Sequence, residues 1–115
     1  MADTLPPLLI VGCGKMGGAM LAGWRERDAG QVIAVDPHLP GAPPGATLLR
    51  APGQIPDDFA PAAVILATKP QEAAATLPHY ARFAGAAVFV SIMAGRTVAG
   101  MKALLGEAAA VVRAM

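Results

Sequence analysis

The residues with the clearest chemical potential are the glycines of Gly12-Cys13-Gly14-Lys15-Met16-Gly17, a G-x-G-x-x-G run. Backbone N–H groups reach the oxygens of a diphosphate only where no Cβ intervenes. In such a loop Gly12 permits the tight turn, Gly14 lets the main chain approach the anion, and Gly17 lets the next helix pack closely on the strand. The N–H groups at the helix start point at the phosphates, reinforced by the helix dipole. Lys15 suits either a phosphate contact or a solvated place on the first turn. Cys13 is a small filler, with nothing nearby to activate its thiol. About twenty residues on, Asp36 stands where an acid accepts hydrogen bonds from an adenosine ribose 2′-hydroxyl. The same charge repels a 2′-phosphate and no arginine follows directly, so this pattern favours NAD(H) over NADP(H). Two plainer readings stand beside it: a glycine-rich connection that only joins strand to helix, and an Asp36-Pro37 pair that only begins a turn. His38 reads as an exposed loop residue beside that turn.

These loops need a scaffold, and hydrophobic patterning supplies one. Leu8-Leu9-Ile10-Val11 is continuously apolar, the mark of a strand buried on both faces, and it ends at Gly12. From Lys15 to about Arg25, the positions Met16, Ala19, Met20 and Gly23 fall on one helical face. Gln31 to Val35 is a second strand, stopped by Asp36-Pro37 and followed by a loop rich in proline and glycine. Thr47 to Arg50 is a short third strand and Ala63 to Ala67 a fourth, closed by Lys69-Pro70. A helix runs from Gln71 to about Leu77, resuming near Tyr80. Ala87 to Ile92 is the fifth strand, Thr97 to Leu105 a helix stopped by Gly106, and Ala110 to Arg113 the sixth strand.

This alternation predicts an α/β fold: a doubly wound parallel sheet of the Rossmann type, with helices on both faces and strand order 3-2-1-4-5-6. Ligands of such sheets bind outside the carboxyl ends of the strands. The turns Ala67-Thr68-Lys69-Pro70 and Ile92-Met93-Ala94-Gly95 therefore join the glycine loop as candidate cofactor contacts. Each serves equally well as an ordinary strand-to-helix turn, with Pro70 in the favourable first helical position.

Composition narrows the class. The chain has 115 residues, 9 basic and 8 acidic side chains and a net charge of +1, and 55% of it is hydrophobic. A disordered tail would be less apolar and more charged, and the near-neutral balance offers no footprint for nucleic acid or an anionic membrane. The lone cysteine forms no internal disulfide, so a cytoplasmic setting is expected. The first residues carry no basic leader pattern, and no apolar run approaches the roughly 18 residues of a membrane span. One domain over residues 1–115 is expected, ordered from about residue 8. No metal-binding cluster is expected, and no catalytic side chain. His79 is placed before the fifth strand, at the end of the sheet away from the cofactor. Lys69 lies towards the nicotinamide side, either steering a substrate carboxylate or simply solvated.

Taken together, GCGKMGGAMLAGW, ILATKPQ, VSIMAG and VVRAM, in this order and spacing, resemble pyrroline-5-carboxylate reductase over about residues 8 to 115. The resemblance implies NAD(P)H-dependent hydride transfer to the cyclic imine 1-pyrroline-5-carboxylate, giving L-proline. It maps cofactor contacts onto the loop from Gly12 to Gly17, onto Ala67, Thr68, Lys69 and Pro70, and onto Ile92, Met93, Ala94 and Gly95. The family often has valine where this chain has Thr68, a harmless change for a backbone contact. The end of strand two varies with NADP or NAD choice, so Asp36 argues against assuming NADPH. Family members continue past Arg113-Ala114-Met115 into a helical domain that dimerises and builds the imine site. That domain is expected to be absent here, leaving a dinucleotide binder with negligible turnover and apolar surface exposed near the last strand. The implied partner is a small cyclic imine carboxylate, and the full-length enzyme is expected to be a homo-oligomer through the helical domain. Other readings are a related reductase (an NADP-dependent deazaflavin oxidoreductase or a β-hydroxyacid dehydrogenase) and a dinucleotide-sensing domain without chemistry. An S-adenosylmethionine methyltransferase shares the glycine-rich loop and the acid, but Gly17 and the short turn into the helix favour a diphosphate.

Overall fold

Four apolar runs too short for helices, and two weaker ones, build a 6-stranded sheet in the order β3-β2-β1-β4-β5-β6, parallel throughout. The strands are β1 (Leu8–Val11), β2 (Val32–Val35), β3 (Thr47–Leu49), β4 (Ala63–Leu66), β5 (Val88–Ser91) and β6 (Ala110–Arg113). The doubly wound strand order is the one expected from right-handed crossovers. The computed structural model describes residues 7–12, 31–38, 41, 46–93, 95 and 97–114. The helix expected from Lys15 to about Arg25 lies outside the described residues.

Every residue of β1 and β2 is buried, as continuous apolar runs in a parallel sheet require. Side chains alternate between the two faces. Leu9, Val11, Ile33, Val64, Leu66 and Phe89 share one face and one core with residues of the later helices, among them Leu77, Tyr80, Met101 and Leu105. Leu8, Ile10, Val32, Ala34 and Ile65 form a second buried cluster on the opposite face. On that face Val88, in β5, and Val112, on the edge strand β6, remain exposed, so there is apolar surface at the β6 end of the sheet.

After β4 the chain coils as a 3-10 turn (Pro70–Glu72), a single α-turn α1 (Ala73–Thr76) and a 3-10 stretch (Leu77–Phe83). Pro78 explains the change of winding: it has no N–H to donate, and its ring crowds the carbonyl four residues back. Helix α2 (Val98–Leu105) has clear stops at both ends. The Thr97 hydroxyl accepts the Gly100 N–H at 2.9 Å, and Gly106 ends the helix with φ 112, a value glycine tolerates best. The link from β3 to β4 holds only a 3-10 turn, Pro52–Gln54, and sends Ile55 and Phe59 into the main core.

Register is what positions the site. Val11 pairs with both Val35 and Leu66, and Val35 with Leu49. Strands β3, β2, β1 and β4 therefore end level, and Arg50, Asp36, Gly12 and Ala67 follow them side by side. The ladder continues one step past the strands: Gly12 N–H donates to Val35 O at 2.8 Å, Ala67 N–H to Val11 O at 2.8 Å, and Asp36 N–H to Leu49 O at 3.0 Å.

Candidate functional site

Gly12 leaves β1 with φ 73, a left-handed value that costs a side-chain-bearing residue roughly 1–2 kcal/mol. Space also demands glycine here. A Cβ would sit 3.0 Å from Thr68 Cγ2 and 3.1 Å from the Thr68 Cα and N. The β1 turn is thus pressed against the β4 turn, at the point where the parallel order changes direction and ligands of such sheets bind. Cys13, Gly14, Lys15, Met16 and Gly17 lie outside the described residues.

A cleft of about 470 Å³ opens beside this contact, a size usual for a small-molecule site. Gly12 and the ends of β1 and β2 form its floor. Asp36, His38 and Arg50 stand on one rim, while Thr68, Lys69 and Glu72 stand on the other. Thr76, His79 and Tyr80, from the stretch that follows β4, also line it. His79 is exposed, as expected of a surface residue, but it borders this cleft rather than lying away from it. Helical winding explains the difference: at about 1.5–2.0 Å per residue, the stretch after Pro70 advances slowly along the sheet.

Asp36 is half-buried, and two of its oxygens accept hydrogen bonds. One carboxylate oxygen accepts the His38 N–H at 2.8 Å, closing the turn that Asp36-Pro37 begins. Its carbonyl oxygen accepts Nη1 of Arg50 at 3.3 Å. No arginine follows Asp36 directly, yet the β2–β3 pairing brings Arg50 beside it. The β3 turn is fixed in turn by Gln54, whose Oε1 accepts the N–H groups of Arg50 at 2.6 Å and Ala51 at 3.2 Å. The rim consequently carries acid and base together, where the sequence pattern pointed to an acid alone.

The β5 turn reaches the site through a different contact. The Thr68 hydroxyl donates to Met93 Sδ at 3.3 Å, and the buried Ser91 hydroxyl accepts the Met93 N–H at 3.2 Å. Met93 is buried in the main core, so its side chain serves packing and pins the β5 turn to the β4 turn. Ile92 is half-buried and Gly95 is exposed with φ 79; neither lines the 470 Å³ cleft. Ala94 lies outside the described residues. The structure thus brings Gly12, Asp36, Ala67, Thr68 and Lys69 together on one cleft, and holds Pro70 at the start of the adjoining 3-10 turn.

Arg50, His79 and Tyr80 were not among the candidate residues. Arg50 could have been found by carrying the predicted strand order one residue past the end of β3. Nothing in the local pattern marks the other two. Burial pushes the Tyr80 phenol up to about 12, an effect that Arg82 partly offsets, so this hydroxyl keeps its proton at neutral pH. Among the described residues no group of three or more His, Cys, Asp or Glu side chains could hold a metal ion, and no helix is long and apolar enough to cross a membrane.

No protein-family model matches the sequence, and no curated protein matches it significantly. Solved structures do. A pyrroline carboxylate reductase from Plasmodium falciparum, solved with NADP bound, superposes with a TM-score of 0.77 at 16% identity, over 98% of this chain and 42% of its own. A pyrroline-5-carboxylate reductase from Coxiella burnetii gives 0.74 at 19% identity, over 96% and 43%. Lactate dehydrogenase from Eimeria maxima, solved with NADH and oxamate, gives 0.65 at 16%, over 96% and 44%. The chain spans less than half the length of each of these proteins, and what it shares with them is the doubly wound parallel-sheet fold.

Proposed function

We propose that this chain binds NAD(P)H and is the cofactor-binding part of an oxidoreductase that reduces 1-pyrroline-5-carboxylate to L-proline. The observation that carries the reading is the cleft at the level ends of β1, β2, β3 and β4, where Gly12 abuts Thr68 and Asp36 stands on the rim. Its volume, apolar floor and polar rim fit the adenosine half of a dinucleotide. Two reductases of the named activity share the fold, one of them solved with NADP, and the sequence blocks quoted above point the same way.

On this reading the main-chain amides from Gly12 to Gly17 hold the diphosphate, and Asp36 meets the adenosine ribose. Thr68 and Lys69 wall the passage towards the nicotinamide. Ile92, Met93, Ala94 and Gly95 seat the ring itself through backbone, since the Met93 side chain is spent on packing. The bound nicotinamide supplies the hydride. The protein's share of the chemistry is position and orientation, and the buried Tyr80 hydroxyl beside the cleft stays protonated. The imine-binding residues are assigned to sequence outside the portion matched, so these 115 residues are expected to show negligible turnover alone.

Titration calorimetry of the chain with NADH and NADPH tests the reading. Saturable binding with thermal protection is the expected result, and Asp36→Ala should weaken NADH by roughly tenfold or more, the scale of a lost charge-assisted hydrogen bond. No heat and no thermal shift at saturating nucleotide would remove the proposal. The lactate dehydrogenase likeness keeps a second substrate class in view. A panel of imines, 2-oxo acids and 3-hydroxy acids, assayed on the full-length protein, separates the two.

A further inference from the structure

Resting on that dinucleotide reading, we propose that Arg50 makes the ribose end of the cleft a seat for a 2′-phosphate, so that the phosphorylated dinucleotide, NADP(H), is preferred. The end of β2 taken alone says the opposite, because the Asp36 carboxylate repels a phosphate. The sheet changes that balance. Register places Leu49 opposite Val35, and the residue after each therefore stands next to the other. Nη1 of Arg50 lies 3.3 Å from the Asp36 carbonyl oxygen, which sets the guanidinium on the same rim as the acid that would meet the ribose.

Three features favour phosphate over a bare hydroxyl. The Arg50 backbone is held in place, since Gln54 Oε1 accepts its N–H at 2.6 Å and that of Ala51 at 3.2 Å. The Asp36 carboxylate already accepts the His38 N–H at 2.8 Å, so part of its acceptor capacity is committed to the turn rather than to a ligand. A planar guanidinium offers paired donors that match two phosphate oxygens, a geometry lysine lacks. His38, exposed on the same rim, adds a further imidazole beside that anion.

The test uses 5′-AMP and 2′,5′-ADP, which differ only by the 2′-phosphate, as probes, titrated calorimetrically into the full chain and into Arg50→Met and Arg50→Lys. In the native chain 2′,5′-ADP should bind roughly tenfold or more tightly than 5′-AMP, and the advantage should shrink as salt is raised. Arg50→Met should bring the ratio of the two affinities close to one, and Arg50→Lys should restore part of it; thermal melts confirm that both variants are folded. Equal affinities in the native chain, or a ratio that Arg50→Met leaves intact, would overturn the role of Arg50 while leaving the dinucleotide site standing. Failure of both probes to bind would instead strike the dinucleotide reading itself.

Discussion

Replacing Gly12 with alanine separates two reasons for the glycine. The first is conformational: φ is 73, and a left-handed alanine costs about 1–2 kcal/mol. The second is collision. The new methyl would lie 3.0 Å from Thr68 Cγ2 and 3.1 Å from two Thr68 backbone atoms, and overpacking of this kind costs about 1–3 kcal/mol. The side-chain atom can rotate away, but the backbone can yield only by moving the β4 turn. Together they predict a loss of about 2–5 kcal/mol. At roughly 4 °C per kcal/mol for a domain of this size, Tm should fall by about 8–20 °C. Gly85→Ala is the control, since φ there is 85 but a Cβ would meet nothing within 4 Å; it should cost only about 1–2 kcal/mol. Gly12→Ala combined with Thr68→Ala should recover part of the loss, because the Cα and N contacts remain. Urea denaturation of the four proteins, with nucleotide titration of those that fold, reads all of this. If Gly12→Ala costs no more than Gly85→Ala, the contact between the two turns does not constrain position 12, and the rigidity inferred for the cleft floor falls with it.

Two further outcomes follow from the local chemistry. Thr97→Ala removes the acceptor for the Gly100 N–H at the start of α2 and should cost about 1 kcal/mol by urea denaturation, with Thr97→Asp close to the native value. Tyr80 predicts an alkaline weakness: its phenol titrates near 10.0 in the unfolded chain and at about 12 in the fold. Between those values the unfolded state sheds the proton first, so stability is full below pH 10 and declines as pH rises towards 12. The decline should be on the order of 2 kcal/mol at most, since solvent at the cleft screens part of it. Tyr80→Phe, measured by denaturation at several pH values, should lack that component of the decline; an identical profile would show that the phenol does not titrate differently on folding.

All six strands are legible in the sequence, and the reason differs among them. Leu8–Val11, Val32–Val35 and Ala63–Leu66 are buried nearly throughout, and a strand covered on both faces must be a continuous apolar run. Thr47–Leu49 and Ala110–Arg113 lie at the sheet edges with exposed or half-exposed residues, so hydrophobicity marks them weakly. The 3-10 winding of Leu77–Phe83 was less clear, because Pro78 signals an interruption without saying how the chain continues. The β5 turn was legible as a turn, but the hydroxyl–thioether contact from Thr68 to Met93, which commits that side chain to packing, has no sequence signal.

The rim built by the ends of β2 and β3 shows why a local motif reads only part of such a site. A glycine loop and an acid at the end of strand two belong to adjacent strands joined by one crossover, and spacing along the chain captures their relation. Arg50 is 14 residues from Asp36 across a proline-rich loop, a separation with no meaning until β3 is laid beside β2. In a parallel sheet with level strand ends, each strand delivers one residue to the same edge. Here the row reads Arg50, Asp36, Gly12 and Ala67 in the order β3, β2, β1, β4. The charge a ligand meets there is the sum over neighbouring strands, not the charge of the motif. That sum changes an NAD(H)-like acid into a rim that also carries a guanidinium, and the relative affinities of 5′-AMP and 2′,5′-ADP measure which of the two dominates.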